Sequence, residues 1–174
     1  KGVDPRILFA GTTIHRRLKR AGVPSYIFLK KDYAYSTYSN LISKGANVIS
    51  WSDFSNLFTN LKKLLNHQPP FYCVVYIDSF DSKAHKFGPS SQKHLAEIVR
   101  FFEVFQNEFL KKIEKTLAGK VVLILTSDHG QVEVDPQETI YLNHYKDIVE
   151  NFAASRNGKK ILPWGSARDV YLKV

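Results

Sequence analysis

The chain has 174 residues, about the length of one domain, and is 44% hydrophobic and 13% aromatic, enough apolar material for a substantial core. Its net charge of +9 is spread over Arg16, Arg17, Lys19 and Arg20, Lys62 and Lys63, Lys111 and Lys112, and Lys159 and Lys160, mostly on polar faces of expected helices. Solvated faces are therefore favoured over a nucleic-acid patch, and no specific nucleic-acid partner is expected. No run of about 18 uncharged apolar residues occurs, so no membrane-spanning helix is expected. The start, Lys1-Gly2-Val3-Asp4-Pro5, lacks the apolar core of a signal peptide. Location stays open, with the cytoplasm the favoured side, and oligomeric state stays open too. The single cysteine, Cys73, excludes an internal disulfide and reads as a buried, inert thiol.

Residues 7–10 form a short apolar run with the look of a strand. Gly11-Thr12-Thr13 then opens a basic helix that ends near Gly22, a natural C-terminal stop followed by Pro24. Residues 26–29 read as a strand, whereas the Tyr- and Ser-rich stretch 33–43 has no clear period. Residues 46–51 read as another strand, with Ser52 as N-cap of a helix over residues 53–66. In that helix Phe54, Leu57, Phe58, Leu61, Leu64 and Leu65 recur at helical spacing. Residues 71–77 are a near-continuous apolar, β-rich run, as in a strand covered on both faces. A polar loop over 78–89 follows. Leu95, Ile98, Phe102, Phe105, Phe109 and Ile113 then mark a long amphipathic helix ending near Ala118-Gly119. Val121-Val122-Leu123-Ile124-Leu125 reads as a second buried strand. Strand, helix, strand makes a βαβ unit, so the two strands are expected to be parallel neighbours. The fold expected is α/β: a mostly parallel open sheet with helices on both faces, in one domain over residues 1–174.

Parallel strands send their carboxyl ends to one edge, where ligand sites of open α/β sheets lie. Asp81 and His85 follow the first strand; Asp128 and His129 follow the second. Asp81 and His85 share one face if their stretch makes a helical turn. Gly130 can take a positive φ and turn the chain sharply after Asp128 and His129. Carboxylate and imidazole donors suit zinc, and also manganese or iron. Two such ions about 4 Å apart can stabilise the attacking and leaving oxygens of a phosphoryl displacement.

Two stretches carry a resemblance. One is Tyr76-Ile77-Asp78-Ser79-Phe80-Asp81-Ser82-Lys83-Ala84-His85-Lys86-Phe87-Gly88-Pro89; the other is Thr126-Ser127-Asp128-His129-Gly130. Together they resemble the alkaline phosphatase superfamily, most closely its type I phosphodiesterase/nucleotide pyrophosphatase branch, which the Gly88-Pro89 ending favours. Departures are Ala84, where Gly is usual, and Gln131, where an apolar residue often follows the Gly; neither is a ligand position. The resemblance implies an alkaline-phosphatase-like core and two divalent ions, zinc favoured. Asp81 and His85 would serve one ion, Asp128 and His129 the other. It also implies a Thr or Ser nucleophile that forms a covalent phospho-enzyme, and a small phosphodiester or nucleotide substrate.

No convincing copy of the nucleophile, of a further Asp ligand or of a late His ligand is found. Thr12 and Thr13 read better as a helix cap, and His144 as a surface or helix-start residue. His15, His67 and His94 read as ordinary polar residues of helices or their ends. The expectation is an internal fragment with the nucleophile outside it, binding metal weakly and turning over little by itself. Within the superfamily, a phosphomutase- or sulfatase-like hydrolase is the alternative; a non-catalytic binding module on the same fold is another. Tyr33, Tyr35 and Tyr38 read as core packing ahead of a substrate loop.

Overall fold

The structure is a computed structural model that describes residues 4–67, 70–113, 119–166 and 169–174. It comprises two compact units, Lys1–Glu133 and Val134–Val174.

The first unit is built on a three-stranded parallel sheet ordered β2-β1-β3, with β1 (Ser25–Lys30) between β2 (Asn47–Trp51) and β3 (Tyr72–Val75). Register runs from Tyr26 opposite Asn47 to Lys30 opposite Trp51, and from Ser25 opposite Tyr72 to Phe28 opposite Val75. All three carboxyl ends therefore meet at one edge. Helices surround the sheet, so the fold is α/β. Alternation along β1 feeds two cores. Phe28 joins Trp51, Phe54, Leu57, Phe58, Phe101 and Phe109, while Ile27 and Leu29 join Ala34 on the other face.

Helix α1 (Ile14–Arg20) starts at Thr13, whose hydroxyl accepts from the Arg16 amide and donates to the Lys44 carbonyl. Thr13 is thus committed to capping, and Gly22 follows the helix at φ +74°. Helix α2 (Thr37–Ile42), capped by Ser36, lies in the stretch that had no clear period. Helix α3 (Phe54–His67) is capped by Asp53 rather than Ser52: Asp53 Oδ1 accepts from the Asn56 amide at 2.9 Å. Ser52 instead donates to Asp53 Oδ2 at 2.8 Å, because only the residue directly before the first turn reaches its free amides.

The expected loop over 78–89 contains helix α4 (Ser79–Phe87), ended by Gly88 at φ +90°. Helix α5 (Gln92–Val104), capped by Ser91, runs on into a π-helical stretch, Phe105–Leu110. There Phe101, Phe105 and Phe109 stack at centroid spacings of 5.6 and 5.7 Å against Phe58 of α3. Each such pair adds about 0.5–1.5 kcal/mol beyond area burial. The expected helix end near Ala118 lies outside the described residues.

Two expected strands are corrected. Residues 7–10 are not a strand: Pro5–Leu8 is a 3-10 turn capped by Asp4, with Ile7 and Leu8 exposed. Among the described residues no neighbouring strand supplies a ladder there, and Pro5 at the first position suits a turn. Residues 121–125 form no strand and are exposed throughout. An apolar run becomes a strand only where a second strand meets its backbone groups, and among the described residues this sheet ends at β3. The expected βαβ unit is therefore absent here.

The second unit holds 3-10 turns at Pro136–Glu138 and Leu142–His144 and helix α6 (Lys146–Glu150). Strands β4 (Trp164–Gly165) and β5 (Val170–Tyr171) pair antiparallel, with the Trp164 and Tyr171 rings stacked at 6.1 Å. Among the described residues, no helix is long and apolar enough to cross a membrane.

Candidate metal centre

Helix α4 leaves the carboxyl edge of β3 and carries the first pair. Ala84 and Ser79 are buried on its inner side, and Phe80 packs against Phe54 and Phe101. One turn separates Asp81 from His85, and His85 Nε2 lies 3.3 Å from Asp81 Oδ1. Ala84, where a Gly had been usual, fills space in the core with its methyl group.

The second pair stands beside it on chain outside any helix or strand. His129 Nε2 is 3.9 Å from Asp81 Oδ1 and 3.8 Å from Asp128 Oδ2. Locally, Asp128 Oδ1 accepts from the His129 amide at 3.1 Å, and His129 Nδ1 lies 3.0 Å from the Gly130 carbonyl. Gly130 is not among the glycines with positive φ, and a Cβ on it would meet open space. The turn here needs no glycine, which corrects the expectation for that residue. The positive-φ glycine beside this pair is Gly88, where an added Cβ would come within 3.1 Å of Glu133 Oε1.

Gln131 is the residue that sequence reasoning set aside. Its Nε2 donates to Asp81 Oδ1 at 2.7 Å, tying the second segment to the first. A side-chain amide near acidic donors is too common a pattern to be read from sequence. Tyr76, the first residue after β3, reports the field at this edge. Its phenol is pushed up by burial and then by the negative charges of Asp128, Asp78 and Asp81.

Concentrated carboxylate charge beside two imidazoles suits a divalent cation in kind. Two ligands of one tetrahedral zinc at about 2.1 Å stand roughly 3.4 Å apart, and the Asp81–His85 separation of 3.3 Å is of that size. Among the described residues, however, no group of three or more His, Cys, Asp or Glu is arranged around one point to hold an ion. The donors come as pairs.

His15 and His94 serve structure. His15 is buried, with Nδ1 3.2 Å from Ser25 Oγ, and burial lowers its pKa. His94 Nδ1 lies 2.6 Å from the Pro89 carbonyl. His144 is exposed at the end of its 3-10 turn. Cys73 is a partly buried thiol pushed up to about 12 by burial. A cavity of about 370 Å³ lies at the amino edge of the sheet, lined by Lys19, Pro24, Ser25 and Asn47 among others. It holds no cluster of acids or bases.

The chain is similar to several known proteins. Over 120 residues the chain is 28% identical to an alkaline phosphatase, PhoV, of Synechococcus elongatus, covering 68% of the chain and 22% of that protein. It is 27% identical over 106 residues to the venom phosphodiesterase CdcPDE of Crotalus durissus collilineatus, covering 59% of the chain and 12% of the relative. It is 25% identical over 144 residues to the venom phosphodiesterase of Macrovipera lebetinus, covering 79% and 15%. The chain thus spans about a fifth or less of the length of these relatives. No solved structure matches it significantly. The family model described as type I phosphodiesterase / nucleotide pyrophosphatase matches residues 7–170, and the chain belongs to that family.

Proposed function

We propose that the protein is a metal-dependent phosphodiesterase or nucleotide pyrophosphatase that cleaves a phosphodiester or pyrophosphate bond through a covalent phospho-enzyme. The observation that carries this reading is that two Asp/His pairs stand side by side, with His85 Nε2 3.3 Å and His129 Nε2 3.9 Å from Asp81 Oδ1 and Asp128 next to His129. Asp81 and His85 would hold one divalent ion, zinc favoured and manganese or iron compatible, and Asp128 and His129 would hold another. Bound there, such ions supply Lewis-acid stabilisation of the phosphoryl oxygens. The chain's own part is to present the donors: α4 sets the first pair one turn apart, and Gln131 orients the Asp81 carboxylate. The attacking group is assigned to no residue of this chain.

In the full gene product, Asp128→Ala and His85→Ala are expected to lower turnover of a chromogenic phosphodiester by more than about a hundredfold. Circular dichroism should be unchanged. Retained turnover in either variant would remove the two-metal mechanism. A second reading within the superfamily, hydrolysis of monoesters, is favoured by the relative named an alkaline phosphatase. Comparing turnover of diester, monoester and sulfate ester separates these readings, and no turnover of any of them would leave a binding module.

A further inference from the structure

The corner between α4 and α5 gathers positive charge around one ring. Lys83, Lys86 and Lys93 bring their Nζ atoms to 5.8, 5.3 and 4.4 Å from the centroid of Phe87. Lys83 and Lys86 come from α4, and Lys93 from the first turn of α5. Lys86 and Lys93 are exposed, and Lys83 and Phe87 partly so. An aromatic ring attracts a cation through its quadrupole, but it does not cancel the repulsion among three. Salt screens such charges only beyond about 8 Å at physiological ionic strength.

Nothing acidic offsets the cluster. Among the described residues, none of the three ammonium groups has a carboxylate at ion-pairing distance. Glu133, which stands beside Gly88, pairs with none of them. The first turn of α5 holds no acidic residue. It holds Lys93 instead, although the start of a helix disfavours a cation.

The backbone beneath the cluster is fixed by its own hydrogen bonds. The Gly88 amide donates to the Ala84 carbonyl at 2.8 Å, and the Ser91 amide to the Gly88 carbonyl at 3.2 Å. Ser91 Oγ accepts from the His94 amide at 3.2 Å, and His94 Nδ1 lies 2.6 Å from the Pro89 carbonyl. Lys93 is thus carried up against the end of α4 by ordered chain, and only side chains need to settle on a ligand, which limits the entropy cost. At about 100° per residue, Lys83 and Lys86 lie roughly 200° and 140° round the helix from Asp81. The cluster therefore faces another side of α4 than the Asp81–His85 pair.

We propose that Lys83, Lys86 and Lys93 form a binding site for a compact oligophosphate, a soluble anion carrying three or more negative charges. Each ammonium group offers three donors as a point charge and takes phosphate oxygens without the planar fit that a guanidinium imposes. A nucleic-acid backbone is met by cations spread along a stripe or face. Here the cations converge on one centre, which suits a small anion of high charge. The site does not depend on the reading of Asp81 and His85 as metal ligands.

The test is calorimetric titration of the full gene product with inorganic triphosphate, which should bind saturably. Lys93→Gln should weaken that binding about tenfold, and Lys83→Gln, Lys86→Gln and Lys93→Gln together by more than about a hundredfold. Lys31→Gln, Lys112→Gln and Lys146→Gln together, which remove the same charge from exposed positions elsewhere, should leave it within about twofold. His85→Ala, which breaks the metal pair, should also keep the lysine-dependent binding within about twofold. No saturable binding, or equal loss in the two triple variants, would overturn the proposal. Loss in His85→Ala as large as in the α4–α5 triple variant would place the anion on the metal donors and overturn it too. So would lysine-dependent binding of anionic phospholipid vesicles or single-stranded DNA with none of triphosphate.

Discussion

Residues 71–77 and 121–125 are alike as sequence: each is an apolar, β-rich run followed by an Asp/His motif. Their structures differ. The first supplies β3, paired with β1 from Ser25–Tyr72 to Phe28–Val75, and its motif continues into α4. The second joins no sheet among the described residues; Val122 is 88% exposed and Ile124 80%. Its motif is held by short-range bonds and by Gln131 reaching Asp81. One pair of donors is thus aimed by secondary structure, the other by contacts to the first.

Three substitutions bear on that comparison. Val75 is partly buried against the core, so Val75→Asp should cost about 3 kcal/mol or more, read by urea unfolding. Ile124→Asp should stay within about 0.5 kcal/mol. Equal costs would mean that the two runs are packed alike. Gln131→Ala should weaken zinc binding about tenfold with stability unchanged; an unaltered titration would show that the second segment holds its place without that bond.

The smallest effect concerns pH. Burial lowers the His15 pKa from its ordinary 6.5. Above that value both folded and unfolded states hold the ring neutral, and its packing contribution is intact. As pH falls through 6.5 towards the lower folded value, the unfolded chain takes up the proton first, and stability drops. His15→Gln should flatten that slope in thermal melts across the range, and an equally steep variant would assign the acid sensitivity elsewhere.

Much was legible before the structure. The helical spacing of Phe54, Leu57, Phe58 and Leu61 located α3, Gly22 marked the end of α1, and the capping reading of Thr13 follows from its place before an apolar-periodic helix. The i, i+4 spacing of Asp81 and His85 stated the condition, one helical turn, that α4 meets. What stayed illegible depends on distant chain. Ser52 and Asp53 compete for one cap and only geometry separates them. His15 looks like any helix polar residue until Ser25 and Tyr72 close over it.

By itself, then, the sequence determined which donors are present, their local spacing, the periods of the main helices, and the family. These rest on interactions within a few residues, where propensity and side-chain reach decide. Only the tertiary structure decided that residues 121–125 stay outside the sheet, that His129 and Gln131 meet Asp81, and that Ser25 meets the buried His15 ring. A strand needs a partner's backbone and a buried polar atom needs a neighbour from elsewhere in the chain. Neither is written in the local pattern.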